Sequence, residues 1–443
     1  MEKREQDLLP RKQGAGILIL GLVLLFFPIF NIRLMAQSFV TVQDGRFYLN
    51  DNPYYFLGAN FWYGFNLGAP GGDRSRLVAE LDELRSLGVT NLRIMAATEG
   101  PDTEPWRVSP SLQSEPGVYD ESMLQGLDFL LAEMAKRDMK AVLCLSNFWQ
   151  WSGGFAQYVA WSEGKAVPYP PPAEGGNWMG FSTWSSRFYK DQPAMELYDN
   201  LVRNLVGRTN SITGTIYRED PAIMAWELAN EPRGILRPRA YRRWIRRAAD
   251  LIKSLDPNHL VTIGSEGNTN FPTGNHFKRD HRPKDIDYTT VHIWVQNWQW
   301  YDPLKPEESY DQALEKAKDY LEKHLKWAEK LDKPLVLEEF GIARDADDHD
   351  PRSTTAWRDR YYREMFQTVY DLAAAGRKIS GCNFWAWGGK GRPRIPKGFW
   401  QPGDDLIGDP PHEGQGWYSV YDRDASTLEI IREFAAKMEE LRN

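Results

Sequence analysis

Cysteine is nearly absent, with two in 443 residues, Cys144 and Cys382. Both stand in apolar, strand-like runs (AVLCLSNF and ISGCNFWAW), so two buried free thiols are expected rather than a disulfide framework. There is no CxxC pair and no Cys/His cluster, which removes structural zinc. The seven histidines show no HExxH spacing, which disfavours metal-dependent hydrolysis. No GxGxxG or Walker-type loop follows the first strand-like run, which weakens a doubly wound nucleotide-binding sheet. Positive charge is not in excess. The formal net charge is -7, and a mildly acidic chain has no electrostatic reason to seek nucleic acid. Beyond residue 37 there is no long low-complexity linker.

What is present is a globular balance, 42% hydrophobic and 26% charged, enough for a large core. The 18 Trp, 20 Tyr and 20 Phe are a surplus. It fits a cleft that stacks rings against flat, weakly polar faces, as sugars require, although a Trp-rich core is the alternative. At the N-terminus, Lys3, Arg4, Arg11 and Lys12 precede an apolar run from Gly14 to Phe30, followed by Ala36 before Gln37. This pattern predicts an export signal over 1–36, cleaved after Ala36, with an uncleaved membrane anchor as the alternative. Residues 37 onward are then expected outside the cytoplasm. No cysteine follows the apolar run, which argues against a lipid anchor there.

From residue 37 the pattern alternates. FVTVQDGRFYLND reads as a hairpin around Asp44-Gly45. Eight strand-like runs follow, at 54–60, 91–96, 140–146, 222–230, 260–266, 288–294, 334–340 and 381–387. Helical spacing recurs at 76–88, 121–137, 195–208, near 238–255, about 310–331, near 354–375 and near 425–441. A long loop is expected after the third strand. The strands are near-continuous apolar runs, as in strands buried on both faces. Eight β/α units of this length favour a closed parallel barrel, an α/β fold of the (β/α)8 TIM type, as one catalytic domain over 37–443. An open doubly wound sheet is the alternative.

In such a barrel, working side chains stand at the C-terminal strand ends. Polar residues interrupt the apolar runs at five of them: Arg93, Asn230-Glu231, His292, Glu338-Glu339, and the polar-edged ring of Trp385. A carboxylate at the mouth of a buried strand is costly unless used or paired. Two of them, at the ends of the fourth and seventh strands, can face one another across the mouth. Glycoside hydrolysis needs such a pair, one carboxylic acid to protonate the leaving oxygen and one carboxylate to attack the anomeric carbon. Arg93 and His292 can supply hydrogen bonds that keep Glu339 charged. The alternative is a pair of structural salt bridges or caps.

WELANEPRG (226–234) and LVLEEFG (335–341) resemble the acid/base and nucleophile signatures of glycoside hydrolase family 5. NLRIMA, VHIW and GCNFWAWGG match as well. NFWQWSGGFAQYVAW (147–161) and VQNWQWYDP (295–303) look like its endo-β-1,4-mannanase branch. The resemblance runs from about residue 39 to 441. It implies a retaining enzyme with Glu231 as acid/base and Glu339, directly before the aromatic-Gly pair, as nucleophile. Strand alternation is then expected to turn Glu338 to the opposite face. The resemblance places Asn230 at the sugar 2-hydroxyl and Trp385 under the sugar at the cleavage point. Arg93 and His292 would complete the site, with Trp62, Trp149 and Trp298 as cleft walls. One departure is Trp294, where many family members carry Tyr; an indole N–H donates one hydrogen bond but lacks the phenol's acceptor.

The expected activity is hydrolysis of internal β-1,4 linkages in mannan-type polysaccharide, by a monomer needing no cofactor and no metal. A β-1,4-glucanase on the same framework is the nearest alternative, and a non-catalytic carbohydrate-binding barrel the next. A membrane tether applies only if the N-terminal segment stays uncleaved. The acidic run DADDHD (345–350) lacks the Gly and terminal Glu of an EF-hand loop, and reads as a solvated loop rather than a calcium site.

Overall fold

The computed structural model describes residues 39–269 and 273–442. The expected signal or anchor segment, 1–36, lies outside the described residues. Eight parallel strands make up the central sheet: β1 (Phe56–Asn60), β2 (Asn91–Met95), β3 (Lys140–Cys144), β4 (Ile223–Glu227), β5 (Leu260–Thr262), β6 (Thr289–Ile293), β7 (Leu335–Phe340) and β8 (Ile379–Phe384). Their order is β5-β4-β3-β2-β1-β8-β7-β6. The first and last strands are thus hydrogen-bonded neighbours, and β5 and β6 meet at the remaining seam. Backbone bonds across it are sparse: the Asp287 N–H donates to the Val261 carbonyl (2.8 Å) and the His292 N–H to the Glu266 carbonyl (3.2 Å). Side chains reinforce the seam. Thr262 Oγ1 donates to the Tyr288 carbonyl (3.1 Å), and Thr290 Oγ1 to the Ser265 carbonyl (3.0 Å). The Val261 N–H donates to the Asp287 carboxylate (2.6 Å). The fold is the (β/α)8 barrel that the alternation predicts.

Nearly every strand residue is buried, because packed side chains fill the inside and helices cover the outside. Most predicted helices recur within two to four residues, the 238–255 reading as Pro238–Leu255. Aspartates set several starts: Asp73, Asp120 and Asp191 accept from backbone N–H groups of the first turn. Several strands stop short of their apolar runs, two of them with consequences for the mouth. The 222–230 run pairs only to Glu227 and the 260–266 run only to Thr262. Their polar ends, Asn230, Glu231 and Glu266, leave the sheet and stand at the mouth.

The loop after β3 differs from expectation. It holds two helices, Gly154–Glu163 and Trp178–Ser185. The first buries Phe155, Tyr158 and Val159, a stripe at helical spacing inside the aromatic run. The second starts at Asn177, whose side chain accepts from the Gly180 N–H.

The N-terminal hairpin forms as expected, with Asp44 and Gly45 both at positive φ, the requirement of a tight two-residue turn. It closes the bottom of the barrel. Phe47 packs edge-on to Tyr288 (5.2 Å between ring centroids) and beside Phe56, in a cluster with Val40, Val142, Leu260 and Val336. Cys144 and Cys382 are buried and unpaired, as expected.

This plug yields a stability prediction. Phe47→Ala should lower unfolding free energy by about 3–5 kcal/mol, read by urea denaturation, with kcat unchanged. A loss below about 1 kcal/mol would show that the hairpin does not seal the barrel.

Candidate active site

The mouth is organised from the backbone outward. After β4 the chain crosses between its neighbours: the Asn230 N–H donates to the Ser146 carbonyl (2.8 Å) and the Glu231 N–H to the Gly264 carbonyl (2.9 Å). Glu231 adopts φ +48°, a left-handed conformation that costs a non-glycine residue about 1–3 kcal/mol and recurs at working sites. This bend turns the Glu231 side chain into the mouth.

On the opposite wall, β7 carries an irregularity. Its register against β6 shifts between Leu337 and Glu339. This corrects the expectation for Glu338. Simple alternation would send it to the far face, but the shifted register leaves both glutamates near the same partners. Glu338 lies 3.7 Å from Arg93 Nε and 3.4 Å from His292 Nε2. Glu339 takes a hydrogen bond from Arg93 Nη1 and lies 3.3 Å from His292 Nδ1. Only Glu339 lines the cleft; Glu338 is beneath it.

Arg93 is the hub. Its guanidinium donates to both oxygens of Glu227 (2.6 and 2.9 Å), to Asn230 Oδ1 (2.8 Å), to Asn60 Oδ1 (3.1 Å) and to Glu339. Four strands or strand ends are tied to one buried cation. Asn230 in turn donates to Asn147 Oδ1 (3.1 Å), which fixes its amide orientation. Burial pushes Glu227 up to about 7 against the pull of Arg93.

His292 links the two candidate catalytic carboxylates. Its Nδ1 is 2.8 Å from Glu231 Oε1. Burial works against its charge, but Glu339 and the hydrogen bonds to Glu231, Glu338 and Glu339 outweigh it and hold the imidazolium well above its usual range. Burial raises Glu231, but the hydrogen bond and charge of His292, with Arg233 and the Trp149 indole, take it down to about 2. The proton of this pair is therefore favoured on His292. Glu231 Oε2 accepts from Trp149 Nε1 (2.8 Å), and the Arg233 guanidinium covers the Trp149 ring at 4.5 Å. Arg233 is itself held by Glu266 (2.6 and 2.8 Å).

The cleft above has a volume of about 680 Å³. Of the residues expected from sequence, Asn230, Glu231, Glu339, Trp149, Trp294, Trp298 and Trp385 line it. Arg93 and His292 act from below. Trp294 stands edge-on to Trp385 (5.8 Å) and tilts against Tyr418 (5.2 Å). Trp62 is a correction: it is absent from the cleft lining. Its indole donates to the Gly408 carbonyl (2.9 Å), and its ring packs edge-on behind Trp151, which does line the cleft.

Sequence reasoning missed several lining residues. Glu266 satisfied the same criterion as Glu231, a carboxylate ending an apolar strand run, and could have been found. Trp151 and Trp178 belong to the aromatic run after β3 and its continuation. His412, Glu413 and Trp417 come from the 390–419 segment, rich in Gly and Pro and without periodicity, so no pattern marks them. His412 Nδ1 and Glu413 Oε2 are shielded and have no protein partner among the described residues. Burial, with Asp409, Glu339 and Glu231 nearby, pushes the Glu413 carboxyl well up, which favours its protonated, hydrogen-bond-donating form.

The acidic loop 345–350 supports this wall. Asp345 accepts from the Ala356 and Trp357 N–H groups, and Asp347 from Gln296 Nε2 and Trp417 Nε1 (2.9 and 3.0 Å). Glu231, His292 and Glu339 bring ligand atoms within 4.8 Å of one another, a set that could hold a cation. The fixed charge of Arg93 on Glu339 opposes that use, and a charged His292 cannot act as a ligand.

A family model for GH family 5 beta-mannosidase-like proteins matches residues 37–443. Mannan endo-1,4-beta-mannosidase 5 of Solanum lycopersicum is 31% identical over 378 residues, 82% of this chain and 84% of its own. Putative mannan endo-1,4-beta-mannosidase 9 of Oryza sativa subsp. japonica is 30% identical over 396 residues, 86% and 89% of the two chains. Among solved structures, a glycoside hydrolase family 5 mannosidase from Rhizomucor miehei is 42% identical, with TM-score 0.85, covering 92% of this chain and 99% of that one. The endo-beta-1,4-mannanase from Thermotoga petrophila is 26% identical, with TM-score 0.63, covering 87% of this chain and 77% of that one.

One buried acid gives the mouth a pH dependence. Glu99 accepts from the Gly154 N–H (2.9 Å), Tyr158 hydroxyl (3.0 Å) and Ser146 hydroxyl (3.4 Å), clasping the loop that carries Trp149 and Trp151. Burial raises its carboxyl from 4.5 to about 7 against these hydrogen bonds. The folded form therefore keeps a proton that the unfolded form releases. This stabilisation is complete below pH 4.5 and lost as pH rises through 7, up to about 3 kcal/mol. Glu99→Gln should make the fall of Tm across that window shallower by the Glu99 share, the remainder belonging to the other raised groups, Glu227 and Asp280 among them. An unchanged slope would contradict the assignment.

Proposed function

The chain belongs to the glycoside hydrolase family 5 beta-mannosidase-like family, and from that premise we propose that it hydrolyses internal β-1,4-mannosidic bonds of mannan-type polysaccharides with retention. The observation that carries this reading is the approach of Glu231 and Glu339, from opposite strand ends, to within 4.8 Å around His292. Retaining enzymes need carboxyl groups about 5–5.5 Å apart, whereas inverting ones leave about 6.5–9.5 Å for a water.

In the first step Glu339 attacks the anomeric carbon and Glu231 gives a proton to the leaving glycosidic oxygen. In the second, Glu231 takes a proton from water, whose oxygen displaces Glu339 from the sugar. The proton required in the first step is available from His292 across the 2.8 Å bond to Glu231. Arg93 supplies the counter-charge for Glu339. Asn230, its amide fixed between Arg93 and Asn147, is placed for the 2-hydroxyl, and Trp385 for the sugar face. No cofactor enters these steps. The basic and apolar run within 1–36 supports action outside the cytoplasm.

A second reading is release of terminal mannose from chain ends. It is favoured by the Trp178 and His412 rings, which approach to 6.5 Å although they come from the loops after β3 and β8. A bridge of this kind restricts threading of a long chain. The solved relative from Rhizomucor miehei is described as a mannosidase, and a variant of it as a complex with mannosyl-fructose.

Glu231→Ala and Glu339→Ala should each lower kcat by at least about 10³-fold. Near wild-type hydrolysis in either variant would refute the two-glutamate assignment. Reducing ends should appear from mannan and not from cellulose; the reverse would make the chain a glucanase. On mannohexaose, internal cleavage gives mannobiose, mannotriose and mannotetraose early, whereas mannose and mannopentaose as the only early products would establish the chain-end reading.

A further inference from the structure

The outer face of the barrel carries a basic groove that the catalytic reading leaves unexplained. The Pro238–Leu255 helix holds five arginines in 18 residues, Arg239, Arg242, Arg243, Arg246 and Arg247, in a chain of formal charge -7. Three pairs stand four residues apart, a like-charge spacing that destabilises a helix. Arg242 and Arg247 are answered by Asp280 and Asp199. Arg239, Arg243 and Arg246 have no carboxylate partner among the described residues.

Arg243, Arg246 and Arg247 line a groove of about 680 Å³ together with Lys190, Tyr189 and Trp244. Lys190 also borders an adjoining basin of about 370 Å³, shared with Arg187 and Arg237. Arg187 is paired with Glu163 (3.1 Å). Burial, and then Arg187, hold Arg237 below its ordinary value. Asp250 stands in the groove too, hydrogen-bonded to Asp285. Tyr189 and Trp244 are 3% and 1% exposed and form the floor of the groove.

We propose that this groove binds an anionic polysaccharide, a chain of sugars bearing carboxylate or sulfate groups. Guanidinium forks suit such oxyanions. From Arg239 to Arg247 the helix spans about 12 Å, so the charges form a row that meets a repeating polymer rather than one small anion. The half-buried Met195 side chain in the same lining suits the apolar face of a sugar. The row reaches the cleft side, where Arg237 Nη1 donates to the Thr183 carbonyl (3.3 Å) in the helix that begins with the cleft residue Trp178. An enzyme tethered there would work on neutral chains interspersed with acidic ones, at raised effective concentration. This site goes beyond the catalytic reading and stands independently of it.

Affinity electrophoresis of the full chain, in gels containing polygalacturonate or dextran sulfate, tests it. Retardation by at least one polymer is expected, weakening with added salt; the pair of gels tells carboxylate from sulfate. The double variant Arg243→Gln with Arg246→Gln should bind at least 10-fold more weakly, with kcat/KM on mannooligosaccharides unchanged. If that variant loses cooperative unfolding, Lys190→Gln with Arg243→Gln serves instead. Wild-type protein unretarded by both polymers, a folded variant retarded equally, or binding to anionic lipid vesicles without polymer binding would each overturn the proposal.

Discussion

One buried cation organises the mouth of this barrel. The Arg93 guanidinium, 3% exposed, reaches Asn60 at the end of β1, Glu227 at the end of β4 and Asn230 beyond it, and Glu339 in β7. Burying a guanidinium is affordable only when its donors are answered, and burying carboxylates only when a cation is at hand. Each requirement meets the other here. The fork fixes where the carboxylates stand, and their positions relative to one another decide the chemistry.

The same cluster separates carboxylates of similar burial into different roles. Glu227 and Glu338 stay below the cleft, bonded to or close beside Arg93, and never line it. Glu339 is engaged by Arg93 on one oxygen and faces His292 with the other. Glu231 answers to His292 and Trp149 instead. His292 therefore faces both catalytic candidates at once, 2.8 Å from Glu231 and 3.3 Å from Glu339. Loss of negative charge at Glu339 in a glycosyl intermediate would loosen His292's hold on its proton. That coupling gives the site a physical route for alternating Glu231 between acid and base.

Much of this was legible in the sequence, for identifiable reasons. Strands buried on both faces leave long apolar runs, and the polar residue that ends each run is conspicuous; Arg93, Glu231, His292 and Glu339 were all readable that way. The family resemblance then supplied roles that spacing alone could not. What failed were features that depend on local departures from regularity. The register shift at Glu338 leaves no mark in an apolar run, so strict alternation misplaced it. Trp62 has the same neighbours in sequence as a cleft residue would, but Trp151, arriving from another loop, covers it. Glu413 and His412 belong to a segment fixed by backbone bonds to Asp409, whose carboxylate accepts from Gly416, Tyr418 and Ser419, and such bonds carry no periodic signature. The arginine row on the Pro238–Leu255 helix was visible in the sequence, but its significance came only with the groove it lines.

The account depends on Glu231 and Glu339 acting through a covalent intermediate, because their spacing leaves no room for a water between nucleophile and sugar. The most direct measurement is proton NMR of the anomeric signals during the first minutes of mannooligosaccharide hydrolysis, before mutarotation. The account predicts that the newly formed reducing ends appear first as the β-anomer and drift to equilibrium afterwards. Initial formation of the α-anomer would show single displacement by water and contradict it.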